Sequence, residues 1–343
     1  MIEDTEVQKY AVLRNMKRSF INYMKDLSDV VLDTKDAILS KFSNKKVKSK
    51  EEIEGYRKTI KVYDVFNFFN EFDVLDIRLH ILNDYVDYFV LVESRMTHSG
   101  LPKELLYEKN KHLYEKFNHK IIHQIVERPL KDFKDAEERV NDPSTPEFER
   151  TLISQAISKS GGRESFLRDS FEKEYVRKPL MEHGLSDDDF CFISDLDEIW
   201  NPEAIIDYSQ DDIFKVKQLP YVYYLNNRSN ENWRGWSGTI GTKYKNIRNN
   251  SVNHLRTLKR SAYTIVKNGG WHFTFQGGME TVKGKIEAYS HQEINNKQTK
   301  SGIKDSISKN KDIMGRYFKF WVDESDLPKY LLENKSKYKN LFK

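Results

Sequence analysis

The sequence predicts an α/β protein with a mixed, mostly parallel sheet and helices on both faces, and three stretches carry that expectation. The first is Val62–Phe69, a strand, followed by Phe72–Leu82 with a helical apolar period and acidic Glu71 and Asp73 at its opening, then Tyr88–Glu93, a second buried strand. Strand, helix and strand inside about thirty residues form a βαβ unit, which implies parallel pairing with a right-handed crossover. The second is Phe190-Cys191-Phe192-Ile193, an apolar run between Asp187–Asp189 and Asp195-Leu196-Asp197-Glu198. Its length and composition are those of a central strand covered on both faces. The third is the pair Ile213–Lys217 and Tyr221–Leu225, both rich in β-branched and aromatic residues.

Composition bounds what such a fold can be. At 343 residues, one large or two small domains are expected, and 38% hydrophobic with 13% aromatic content is enough to build a core. Lys and Arg number 57 against 53 Asp and Glu, so the charge is nearly balanced and lacks the asymmetry of a dedicated nucleic-acid binder. The single Cys191 sits in an apolar strand and cannot form an internal disulfide, which indicates a reducing compartment. No stretch approaches the ~18 to 20 apolar residues of a membrane span, and Met1-Ile2-Glu3-Asp4 has neither a basic n-region nor an apolar core. A soluble, cytoplasmic protein is expected.

Taken in order, residues 1–60 read as a helical N-terminal extension, with Tyr10, Leu13, Met16, Phe20 and Met24 three and four apart and a solvated charge run at Lys45–Glu52. The main α/β domain is expected over 61–298. Within it, Thr97–Lys103 is a loop, Ile121–Val126 a strand with a structural His123, and Asn141–Pro146 a turn-rich insertion. A helix is expected around Arg163–Asp169 and another after Gly277-Gly278, running through Ile286 and Tyr289. Asn226–Gly241 is too polar and glycine-rich for core. Residues 299–343 read as a C-terminal helical extension with Tyr317–Val322 as a packing segment.

The chemistry concentrates at the end of the central strand. Open α/β sheets bind ligands at the carboxyl ends of their strands, and an i, i+2 spacing points Asp195 and Asp197 the same way on an extended backbone. Paired carboxylates attract a hard divalent ion, Mg²⁺ or Mn²⁺, which keeps positions open and bridges to substrate phosphates. Asn70 and Glu93 end strands on the same edge. Trp233 and Trp236 are candidate sugar-stacking platforms for an acceptor. Glu280, just after Gly277-Gly278 and near a helix N-terminus, is placed to serve as a general base. His272 and His291 are possible further metal ligands.

These motifs resemble glycosyltransferase family 17, some of whose members add the bisecting N-acetylglucosamine to N-glycans. The likeness rests on Asp195-Leu196-Asp197-Glu198, Phe66–Leu79, Thr97-x-x-Gly100-x-x-Lys103, Arg163-Glu164-x-x-x-Arg168, Gly270-Trp271-His272 and Ser290-His291-x-Glu293, in the family's order over residues 62–295. The resemblance implies a GT-A-like (Rossmann-like) domain and metal-dependent, inverting transfer of a sugar. By analogy the sugar is N-acetylglucosamine, moved from a nucleotide-diphosphate donor such as UDP-GlcNAc to a glycan or other hydroxyl acceptor, with Mn²⁺ or Mg²⁺ as cofactor. It implies donor contacts from Asn70, Glu93, Thr97, Lys103, Arg163, Arg168 and Asp195, the arginines offering planar forks to a diphosphate. Metal ligands would come from Asp195, Asp197, His272 and His291. For the base, Glu280 is favoured over Glu198, which adjoins the metal pair, and over Glu231, which lies in a polar loop. Two rivals share these residues. A metal-dependent nucleotidyltransferase or phosphohydrolase also needs paired carboxylates on a sheet edge, and a non-catalytic carbohydrate-binding protein would use Trp233 and Trp236 without metal.

Overall fold

The computed structural model describes residues 49–205, 207, 212–230, 236–259 and 262–343. The helix expected around Tyr10–Met24 and the residues Glu231 and Trp233 lie outside the described residues. The sheet and its helices belong to a compact unit of Lys50–Leu258 and Thr264–Lys343.

The βαβ unit forms as its pattern demands. β1 (Val62–Phe68) is followed by α2 (Phe72–Leu82), a helix later than the short α1 (Lys50–Arg57), and then by β2 (Tyr88–Ser94). β1 pairs in parallel with β2 on one side and with β4 (Phe190–Asp195) on the other, and β2 pairs in parallel with β3 (Ile121–Val126). Beyond β4 the sheet turns mixed. β8 (Ile240–Lys243) runs antiparallel to β4, β6 (Ile213–Val222) antiparallel to β8, and β9 (Thr264–Thr274) parallel to β6. The short β5 (Glu198–Trp200) pairs with β9.

Period-two alternation divides the strand side chains between two apolar layers. Val62, Phe66 and Phe68 of β1 join Phe190 and Phe192 of β4 in a core closed by Val74, Leu75, Ile77 and Leu79 of α2. On the opposite face Tyr63, Val65, Cys191 and Ile193 meet Leu152, Ile153 and Ala156 of α5 (Glu147–Lys159) and Leu167 and Phe171 of α6 (Glu164–Tyr175). Burial on both sides is why β4 reads as an unbroken apolar run, and why Cys191 is a buried free thiol.

Three elements differ from the sequence expectation. Ile213–Lys217 and Tyr221–Leu225 are not separate strands, because β6 runs through Pro220. The missing N–H of Pro220 falls on the edge where β6 meets only a bridge at Gln218–Trp236 and then β7 (Asn227–Ser229) at Tyr221, so no ladder bond is lost. Asn141 ends α4 (Phe133–Asn141) instead of opening a loop, leaving a short turn before α5. The C-terminal segment is part of the fold as well. Its β10 (Phe320–Val322) pairs with β7, and Leu331 and Leu341 enter the core beside α2, while Tyr317 is wholly exposed. Among the described residues no helix is long and apolar enough to cross a membrane.

Candidate active site

The acidic turn between β4 and β5 is held from below by one arginine. Arg78 sits in the middle of α2 with no solvent exposure and grips Asp64 of β1 through Nε and Nη2, both at 2.7 Å. Its remaining N–H groups reach Ser194 Oγ at 2.6 Å and the carbonyl oxygens of Asp195, Leu196 and Glu198 at 3.0, 2.9 and 3.2 Å. A chain that leaves a strand for two residues and re-enters another exposes carbonyls inside the core, and buried carbonyls require donors. Arg78 supplies them, stacked 4.5 Å over the Phe66 ring, while Trp200 Nε1 donates to Asp64 at 3.0 Å.

Above this platform the carboxylates are matched with cations from distant parts of the chain. Asp195 ends β4, its side chain 44% exposed, and accepts from Arg256 Nη1 at 2.6 Å. The same guanidinium meets Glu198 at 3.1 Å from the end of α9 (Val252–Arg256). Crowding by protein opposes ionisation of Asp195, yet Arg256 and then Lys173 hold its carboxyl far below the usual range. Asp197, two residues on, is 8% exposed and accepts from Lys285 Nζ at 2.7 Å, with His272 Nε2 3.7 Å from its other oxygen. Lys285 belongs to α10 (Gly278–Ala288) and also lies 3.5 Å from Glu71. Burial raises the Asp197 value, but Lys285 and His272 outweigh it and leave the carboxyl ionised below its ordinary value.

Glu198 differs from its neighbours. It is fully buried, accepts from the Asp195 N–H at 3.0 Å and from Trp236 Nε1, and its pKa is pushed up by burial and by Asp195. Both of its oxygens are engaged, Oε1 by Trp236 and Oε2 by the Asp195 N–H and Arg256. Gly238 is fixed by it, since a Cβ there would lie 1.8 Å from Glu198 Oε1. Trp236 stacks on His272 with ring centroids 4.9 Å apart, so the ring expected to receive a sugar packs on the site's own histidine. Beneath Arg256, Lys215 donates to its carbonyl at 2.6 Å, and burial followed by Arg256 pushes the Lys215 ammonium down to about 8.

The other expected residues fall into two groups. Glu93, wholly buried at the end of β2, pairs with Lys103 at 3.1 Å and lies 3.3 Å from His123. The Lys103 ammonium also donates to the carbonyls of Ser94 and Glu104, so its three protons are taken up by the protein. Arg168 likewise holds the carbonyls of His98 and Lys131, and Thr97 Oγ1 accepts from the Leu101 N–H. These four order the loop after β2, because a buried carboxylate and open-turn carbonyls require donors. Arg163 is half exposed over the Phe166 ring, and His291 is exposed, 2.7 Å from Glu293. Glu280 is exposed in the first turn of α10, and Asn70 carries a buried Oδ1 with no hydrogen-bond partner.

Sequence reasoning missed Arg78, Arg256, Lys285 and a buried cluster in which His98 sits 3.6 Å from Asp169 and 3.1 Å from Glu172. Among the described residues no three His, Cys, Asp or Glu side chains are arranged to hold a metal ion.

The sequence pattern described as glycosyltransferase family 17 matches residues 33–159 and 145–343. The chain belongs to glycosyltransferase family 17. Two relatives, each a beta-1,4-mannosyl-glycoprotein 4-beta-N-acetylglucosaminyltransferase, one from Rattus norvegicus and one from Homo sapiens, are 35% identical to this family 17 chain over 69 residues. That segment spans 20% of the chain and 13% of the length of each relative.

Proposed function

We propose that this family 17 protein is a metal-dependent, inverting glycosyltransferase that moves a sugar from a nucleoside diphosphate to a hydroxyl of a glycan or other acceptor. The relatives' name supports N-acetylglucosamine as that sugar, and we take UDP as its carrier. The observation that carries the reading is the position of Asp195 and Asp197 at the carboxyl end of a central parallel strand, each already paired with a cation. The run of parallel strands β3-β2-β1-β4 followed by antiparallel β8 supports a GT-A-like sheet.

Asp195 and Asp197 would hold Mn²⁺ or Mg²⁺, which when bound neutralises charge developing on the leaving diphosphate. Arg256 keeps Asp195 and Glu198 in register, and Arg78 fixes the backbone on which all three acids ride. Glu280 takes the acceptor proton while the acceptor oxygen bonds to the anomeric carbon and the bond to the diphosphate breaks on the opposite side. Among the carboxylates weighed for that step, Glu280 is exposed and Glu198 is sealed.

The test is release of nucleoside diphosphate by purified protein with Mn²⁺ and a panel of nucleotide sugars, with and without glycan acceptors. UDP release from a UDP-sugar is expected, with Asp197→Asn inactive. No nucleoside diphosphate from any donor, or release of pyrophosphate or inorganic phosphate instead, would overturn the proposal.

A further inference from the structure

Two cations guard the paired aspartates, and they are built differently. Arg256 is forked across Asp195 and Glu198 and only 12% exposed, so moving it would strand a fully buried carboxylate. Lys285 presents a single ammonium on a flexible stem, 20% exposed, with Asp197 at 2.7 Å and a weaker second seat at Glu71, 3.5 Å away. Glu71 is itself anchored, accepting the Asn70 N–H at 3.1 Å at the end of β1. A divalent cation on Asp197 would therefore meet an ammonium already occupying that carboxylate, and like charges at such spacing repel strongly at low dielectric. A nucleoside diphosphate offers that ammonium a more highly charged partner than either carboxylate.

We propose that Lys285 is a tethered stand-in for the metal: it occupies Asp197 in the donor-free protein and transfers its ammonium to the donor's phosphates when metal and donor bind together. The inference rests on the glycosyltransferase reading and adds an order to it, in which metal alone binds poorly and the two ligands bind as a coupled pair. Lys285 thereby becomes a donor-binding residue supplied by the helix that also carries Glu280.

The test measures Mn²⁺ binding from the electron paramagnetic resonance signal of free Mn²⁺, with and without UDP, and UDP binding by calorimetry, with and without Mn²⁺. In the parent protein UDP should tighten Mn²⁺ binding by fivefold or more, and Mn²⁺ should tighten UDP binding equally, since coupling is reciprocal. Lys285→Met should bind Mn²⁺ alone roughly five- to tenfold more tightly than the parent while losing UDP affinity, and Lys285→Arg should keep the parent's weak binding of Mn²⁺ alone. A merely structural lysine would not improve metal binding on removal. If Lys285→Met, folded by circular dichroism, binds Mn²⁺ alone no better than the parent, the inference falls while the glycosyltransferase reading stands. If the parent binds no UDP with Mn²⁺ present, both fall.

Discussion

Replacing Arg78 with methionine should separate what the buried arginine does for stability from what it does for the site. The substitution keeps an apolar stem in the space over Phe66 but removes every donor to Asp64, Ser194 and the carbonyls of Asp195, Leu196 and Glu198. Asp64, fully buried, would keep only the Trp200 N–H. Breaking a buried ion pair from one side costs about 3–5 kcal/mol, because the other charge stays behind unpaired. At a urea slope of about 2–3 kcal/mol per molar, a loss of 4 lowers the unfolding midpoint by about 1–2 M. The double variant Asp64→Leu, Arg78→Met removes the stranded charge and leaves an unmet Trp200 N–H worth about 1–3 kcal/mol, so it should unfold at a higher midpoint than the single variant. Both variants should lose UDP binding in the presence of Mn²⁺, since neither anchors the turn carrying Asp195 and Asp197. A midpoint shift under about 0.3 M for the single variant would refute the argument. A double variant less stable than the single would do so too.

Three further outcomes follow from the same geometry. Glu280→Gln should cut turnover by about 10²- to 10⁴-fold with UDP and Mn²⁺ binding retained, and turnover at the parent's rate would remove Glu280 as the base. Gly270 holds φ of +137° beside β5, and a Cβ there would lie 2.1 Å from the Ile199 carbonyl oxygen, so Gly270→Ala should cost about 1–3 kcal/mol in urea unfolding, against an unchanged midpoint if the strands part freely. For His98, burial works against charging the ring, but Glu172 and Asp169 outweigh it, so the folded value stands above the ordinary 6.5. The folded protein then binds the proton more tightly than the unfolded chain. Its stability contribution is complete below pH 6.5 and is lost as pH rises through the raised folded value. Urea midpoints stepped upward from pH 6 should therefore fall more steeply in the parent than in His98→Gln, and equal slopes would dismiss the cluster.

What the sequence made legible was local. The apolar run before Asp195 and the strand–helix–strand of residues 62–94 follow from neighbours in the chain, and so does the i, i+2 pair of aspartates. The cations that complete the site come from residues 61 and 88 positions beyond their aspartates, a separation no spacing rule spans. Yet a trace of them was present. In α2 the residues Val74, Leu75, Ile81 and Leu82 form one apolar stripe, and Arg78 sits at its centre. In α10 Lys285 lies between the buried Val282 and Ile286 in a similar fashion. A lone cation in an apolar stripe is costly to bury unless a carboxylate awaits it, so each marks a partner elsewhere in the chain. What the partners are used for depends on the donors left over. Arg78 has every N–H engaged and no exposure, which makes it architecture. Lys285 has partners of unequal strength and a side chain 20% exposed, so its ammonium can change hands, and a cation able to do so beside paired aspartates is suited to a substrate that arrives with its own negative charge.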